Sequence, residues 1–319
     1  MLSLFFASQP GCIEFADHSS EPRNQSGPLE AAATVGMVAD LVRIVGGDQV
    51  RVTQMMGDGV DPHLYRATRD DVRTIMLSDV VFYSGYMLEG RLTDTLRKTT
   101  DSTPSIAITS ALAPDRVIHP PDSEGHADPH IWMDVSLWST CVETIVKTLS
   151  DFRPSSRLQF EQRGEELQEE LLHLHEYGKS VLGSVPEQQR VLITSHDAFR
   201  YFGRAYGLEV VGVQGLSTES EAGLQRINEL VDMLVDRKVA AVFVESSVPR
   251  KNITALIDGA ASRGQRVEIG GELFSDAMGP TGSWEGTYTG MMDHNFTSIA
   301  RALGGTVPSA GFKGSLPNH

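Results

Sequence analysis

Thiols are scarce in this 319-residue chain, which has two cysteines, Cys12 and Cys141. Neither belongs to a Cys-x-x-Cys pair, and that excludes a zinc ribbon or a dithiol redox motif. So few thiols are compatible with an oxidising compartment without requiring one. Cys141 lies in a helical apolar pattern with Trp138, Val142, Ile145 and Val146 and reads as core. Positive charge is short as well. Lys plus Arg total 27 against 42 Asp plus Glu, a formal net charge of −15 with no basic run. This argues against nucleic acid and against an anionic membrane surface as partners. No stretch approaches the roughly 20 apolar residues of a membrane span. His-Glu-x-x-His is absent, and so is the Gly-x-Ser-x-Gly elbow, so two common hydrolase signatures are missing. What remains is ordinary globular composition, 40% hydrophobic and 22% charged, long enough for two cores.

The two ends read differently from the body. "MLSLFFASQPGC" has a short apolar run but lacks a basic flank, and Gln9, Pro10 and Gly11 are a poor small-residue box before Cys12. Residues 1–30 are expected to be an atypical leader or a disordered segment. The Gly/Pro/Ser-rich stretch 304–319 is expected to be a disordered tail.

The body alternates strand-like and helix-like segments, which predicts mainly parallel sheets covered by helices. An N-terminal α/β lobe is expected over 31–153, with one helix over "VSLWSTCVETIVKTLSDF" at 135–152. Alternation then stops. Over 154–185, Leu167, Leu171, Leu174, Gly178 and Val181 recur at helical spacing, predicting a helix long enough to span a molecule at about 1.5 Å per residue. Alternation resumes over 186–303 as a C-terminal α/β lobe. Thr218 and Glu221 fit a capping box there.

Against this plan one short pattern occurs twice: "GDGVDPHLY" from Gly57 and "HADPHIWMD" from His126. Each carries Asp-Pro-His, then an apolar and an aromatic residue. Proline fixes φ and stiffens the loop that presents the ring, and Asp61 or Asp128 could orient each imidazole by accepting its second N–H. His63, His130 and His196 all follow strands, as does Asp276 in "GGELFSDAMG". Ligands of open α/β sheets bind outside the carboxyl ends of strands. Two candidates fall in each lobe, as an interlobe cleft requires. Three imidazoles and a carboxylate suit zinc and, less tightly, manganese or iron(II). A lone loop histidine is more often solvated than ligating, so the argument rests on the four positions together.

Together, "GDGVDPHLY", "DPHIWMD", "TSHDAFRYFGRAYGLEVVGVQGLSTESEA", "VFVESSVPRKN" and "GGELFSDAMG" resemble the metal-binding solute-binding proteins of cluster 9 ABC importers, the TroA/ZnuA-like group. The likeness covers about residues 34–303. It implies two α/β lobes joined by one long rigid helix, and capture of Zn²⁺ or Mn²⁺ between the lobes. It also implies delivery to a membrane permease by a periplasmic or extracytoplasmic carrier, expected here to be a monomer and lipid-anchored if Cys12 is modified. The family's metal ligands fall on His63, His130, His196 and Asp276. Manganese and iron members often carry Glu at the third position, so His196 turns the expectation toward zinc, with manganese next. The long His-rich loop of many zinc-uptake members is missing. The region before His130 holds only His119 and His126, and the chain looks closest to TroA-like members.

Two other classes remain. A zinc hydrolase would use the three histidines, an open metal position and Glu245 as general base. The preferred reading has Glu245 buried at a strand end, orienting a ligand histidine, with Asp276 closing the site to water. A surface adhesin of the same fold is the third, which no residue here separates from the first. Coordination needs neutral imidazole, so binding is expected to weaken as pH falls through about 6.5.

Overall fold

The computed structural model describes residues 27–316 apart from 101, 122 and 124. The leader reading for residues 1–26, with Cys12, lies outside the described residues, as do residues 317–319.

The first lobe is a parallel sheet of four strands in the order β2-β1-β3-β4, where β1 is Leu29–Ala33, β2 Val50–Gln54, β3 Val80–Tyr83 and β4 Ser105–Ala107. Helices α1 (Gly36–Gly46), α2 (Arg69–Leu77) and α3 (Leu92–Thr99) make the connections. β1 begins inside the segment assigned to the leader. Its alanines are weak strand formers, but β1 is an inner strand, paired to β2 on one side and β3 on the other. Small side chains suit a strand covered on both faces, and tertiary position overrides propensity. β4 has only three residues, because Ile108–Ala111 tighten into a 3₁₀ turn.

The helix expected over 135–152 is two: α4 (Val135–Thr140) and α5 (Val142–Phe152). The Thr140 hydroxyl donates to the Leu137 carbonyl at 2.7 Å, and the Cys141 N–H turns to Trp138 O at 3.0 Å. A hydroxyl competing for a backbone acceptor breaks the regular ladder there. Cys141 is buried, as its apolar pattern suggested.

Helix α6 runs unbroken over Arg157–Gly183, 27 residues, or about 40 Å. Its buried face is Phe160, Gly164, Leu167, Leu171, Leu174, Gly178, Val181 and Leu182, a stripe at helical period. It packs against α1, α4 and α5 of the first lobe and against α7 (Arg200–Tyr206) and α10 (Tyr288–Ala302) of the second. Two glycines permit this close seating. A Cβ on Gly164 would come within 2.5 Å of Val146 on α5, and one on Gly178 within 2.5 Å of the Phe296 ring on α10.

The second lobe pairs β5 (Val191–Thr194) with β6 (Glu209–Gly212) and β7 (Ala241–Glu245) with β8 (Glu268–Leu273), both parallel. Helices α8 (Leu224–Asp236) and α9 (Lys251–Ser262) cover them. One core joins the first lobe, α6 and the α7/α10 side of the second. A smaller core lies between β5, β7, α8 and α9.

Two further expectations are corrected. Thr218 and Glu221 do not cap α8, which starts at Leu224 behind Gly223 with no side-chain cap. The pattern matched a capping box, but the chain from 215 to 223 is drawn across the cleft instead of into the helix. The segment from Gly304 is also not free through 316. Phe312 is buried, its ring centroid 5.3 Å from that of Tyr177 on α6, and its N–H donates to Asp293 at 2.8 Å. Polar composition shows that the tail cannot build a core; one aromatic suffices to join a core already present.

Candidate metal centre

Four loops at the carboxyl ends of strands meet between the lobes. Beyond β2, Asp61 Oδ1 accepts the backbone N–H of His63 at 2.8 Å, an Asx turn that Pro62 stiffens. The backbone of Gly90 backs this loop, and a Cβ there would stand 2.8 Å from the His63 carbonyl. Beyond β4, Asp128 Oδ1 accepts both the backbone N–H of His130, at 2.9 Å, and its ring Nδ1–H, at 2.8 Å.

His196 follows β5 after one residue. Glu245, the last residue of β7, accepts its backbone N–H at 2.9 Å and stands 2.5 Å from Nδ1. Beyond β8, Asp276 is held through its neighbours: Ser275 O accepts from Trp132 Nε1 at 2.9 Å, and Phe274 exchanges two hydrogen bonds with Asn295 of α10.

With Nδ1–H of His130 and His196 given to carboxylates, Nε2 of each neutral ring is a lone pair aimed inward. His63 Nε2 lies 3.3 Å from His130 Nε2, which lies 3.4 Å from His196 Nε2. Asp276 oxygens stand 3.7, 3.4 and 3.2 Å from Nε2 of His63, His130 and His196. A tetrahedron of donors around an ion with bonds of about 2.0–2.1 Å has edges of about 3.3 Å. The four side chains are buried, and all their donor atoms lie within 4.8 Å of one another. Both Asp276 oxygens lack a hydrogen bond among the described residues. A buried carboxylate facing three imidazole nitrogens calls for positive charge among them, supplied by protons on the rings or by a metal ion. The set could hold one divalent ion.

The charges are distributed unevenly. Burial drives His63 down to about 3; Asp276 opposes this, while the other two imidazoles add to it. Burial pushes His130 down too, but the hydrogen bond and charge of Asp128, then those of Asp276, outweigh it and lift the ring to about 9. His196 is likewise lifted well above the usual imidazole value, with Glu245 and Asp276 overcoming burial. Burial also works against the Asp276 carboxylate, yet the three histidines hold it well below the usual range.

Sequence reasoning named Asp61 and Asp128 as partners of the two rings. Asp128 binds its ring, and Asp61 binds only its backbone. It missed Trp132, which ties the His130 loop to the Asp276 loop, and Tyr201, whose hydroxyl joins the second lobe to Asp128 O at 3.1 Å. The aromatic after the second Asp-Pro-His was visible, but nothing local said that it reaches across the cleft.

Four buried donor groups converging within 4.8 Å between two lobes suit a single ion, the arrangement of an ion-handling member of the two-lobed solute-binding class. More specifically, the chain belongs to the family described as zinc-uptake complex component A, periplasmic (ZnuA), whose model matches residues 32–302. It is 44% identical over 276 residues to the manganese-binding lipoprotein MntA of Bacillus subtilis, covering 86% of this chain and 90% of that protein. It is 43% identical over 270 residues to the zinc-binding protein TroA of Treponema pallidum, covering 85% and 87%. The solved structure of that periplasmic zinc-binding protein superposes with a TM-score of 0.84 at 42% identity, covering 87% of this chain and 99% of that one. A manganese ABC transporter substrate-binding lipoprotein, PsaA of Streptococcus mitis, is 27% identical over 283 residues, covering 86% and 89%.

Proposed function

We propose that this protein captures a divalent transition metal, zinc first and manganese second, with His63, His130, His196 and Asp276 as ligands and Glu245 orienting His196. The metal is its cargo, delivered to the permease of an ABC importer outside the cytoplasmic membrane by a monomeric carrier. The observation that carries the reading is the Asp276 carboxylate, buried, without hydrogen bonds among the described residues, and 3.2–3.7 Å from three imidazole nitrogens.

Three nitrogens and one oxygen form a borderline set that ranks zinc above manganese. Relatives named for manganese and for zinc are almost equally similar, so the donor set and not the likeness carries that ranking. Four protein donors leave no metal position open for water, which favours a carrier over a hydrolase. Among the described residues no helix is long and apolar enough to cross a membrane. Relatives named as lipoproteins and as an ABC transporter component support the extracytoplasmic reading.

The test is metal-free protein titrated against a chromophoric chelator with zinc, then manganese. One zinc per chain is expected, bound more tightly than manganese, with His196→Glu narrowing the gap. Failure to bind either ion, or an unchanged zinc affinity in His196→Ala, would sink the assignment.

A further inference from the structure

Three of the four candidate ligands are wedged in place. His130 is fixed by Asp128 and by the Trp132 ring 5.3 Å away, His196 by both oxygens of Glu245, and Asp276 by the flanking bonds of Phe274 and Ser275. His63 differs. Its Nδ1 has no hydrogen-bond partner among the described residues, and the residue lines a cavity of about 740 Å³ that opens between the lobes. The side-chain hydrogen bond that steadies its loop is the one from its own N–H to Asp61 Oδ1.

The second oxygen of Asp61 is engaged from the opposite lobe, where the Thr218 hydroxyl donates to Oδ2 at 2.5 Å. Thr218 sits half-buried in the 215–223 strap that was expected to begin α8. Its neighbour Glu219 faces Arg91 at 4.0 Å across the same opening, but both side chains are more than half exposed, and such a pair holds little. The half-buried hydroxyl-to-carboxylate bond is the stronger tie.

We propose that Thr218 is a positioning residue for metal release. Through Asp61 it holds the His63 loop closed, and it thereby sets how fast the ion leaves. The inference rests on the metal-carrier reading above. His63 is the ligand that faces the opening, so the ion departs when this loop swings, and the strap must let go first. If the ion enters before the strap closes, the hydroxyl acts on the off-rate and not on the on-rate.

The experiment is stopped-flow release of zinc from the loaded full chain into excess chelator, with the on-rate and the melting temperature of the metal-free protein measured alongside. Thr218→Val keeps the branched shape and deletes the donor. It is expected to speed release by about tenfold or more, the scale of a hydrogen bond to a charged group, with the on-rate unchanged. Thr218→Ser is expected to restore the parent rate. In a His63→Ala background, Thr218→Val is expected to change nothing further. Parent-like release from the valine variant, or a serine variant as fast as valine, overturns the proposal, as does an equal effect of valine when His63 is absent. A chain that binds no zinc at all would overturn the carrier reading instead, before any rate is measured.

Discussion

The two Asp-Pro-His loops share three residues, then an apolar and an aromatic position, in the same order and do different work. In both, the aspartate accepts the N–H two residues on, at 2.8 Å for His63 and 2.9 Å for His130. That turn is local chemistry and repeats wherever the tripeptide does. Everything past the turn diverges. Asp128 also holds the ring of its histidine, while Asp61 reaches across to Thr218. The next residue is fully buried as Ile131 and half exposed as Leu64. The aromatic after it is Trp132 in one loop, donating across the cleft to Ser275 O, and Tyr65 in the other, donating to Asp71 within its own lobe. The second loop is thus a fixed wall of the site, and the first is a door. A motif transmits its turn, and its surroundings decide the rest.

The sharpest way to break the comparison is to remove each ring. Sharing about 10–16 kcal/mol of zinc binding among four ligands gives about 3 kcal/mol each, or a loss of about a hundredfold or more. His63→Ala and His130→Ala are both expected to lose at least that in a competition titration. Only His130→Ala should also melt earlier without metal, because it strands the buried Asp128 carboxylate. Equal melting of the two variants would erase the distinction between wall and door.

Next come the aspartates. Asparagine preserves the turn and deletes the charge. Asp128→Asn is expected to cost about 10–100-fold in zinc affinity, as loss of a ligand's orienting partner does. Asp61→Asn should cost clearly less at equilibrium, since its ring is not held by it. A larger loss for Asp61→Asn would invert the assignment.

Protons give a finer test. In the metal-free protein His130 is raised to about 9 and His196 well above its usual value, whereas His63 is lowered to about 3. Near neutral pH both rings carry protons that a metal must displace, His130 up to about pH 9, so affinity falls as pH drops, by about tenfold per unit for each proton. His63 has none to release until about pH 3. The window therefore lies higher than a free imidazole would place it. Calorimetry in buffers of different ionisation heat should find about two protons released near neutral pH, about one fewer in Asp128→Asn and the same number in Asp61→Asn. Affinity independent of pH between about 6 and 8 would refute the assignment of charge.

The smallest effects belong to the aromatics. Trp132→Phe deletes one buried cross-cleft hydrogen bond, about 1 kcal/mol, and should lower the melting temperature by about 2 °C while loosening zinc. Tyr65→Phe should show a similar thermal loss with zinc affinity unchanged, because its bond stays within the first lobe.

Much of this was visible before any coordinates. Apolar alternation located the strands, and the places after them located the four candidate ligands, because residues at strand ends are collected by sheet geometry whatever their separation in the chain. Glu245, read as a partner for a histidine, stands against His196 for the same reason. What could not be read is non-local. Thr218 and Glu221 had the spacing of a cap, and only packing across the cleft assigns Thr218 to Asp61. Nor does sequence show that Tyr86 and Met87, one after the other, adopt φ of 49° and 66° beside the opening. The loop that holds them is pinned by Glu89, a fully buried carboxylate that accepts from Thr34 and the backbone of Ser84. Such strain is stored in three dimensions and leaves no pattern in one.

The paired glycines of the long helix have a consequence for any machine that receives this protein. Gly164 and Gly178 lie fourteen positions apart, about 21 Å along the axis, and each is notched against a different lobe. A helix keyed at two points neither slides nor shortens, so the span between the lobes is a constant of the molecule, like the gauge of a railway. A receptor that gripped both ends would meet the same footprint on a full carrier and an empty one. On the proposal that Thr218 holds the His63 loop, the difference such a receptor could read would lie at the rim, in one strap and one histidine.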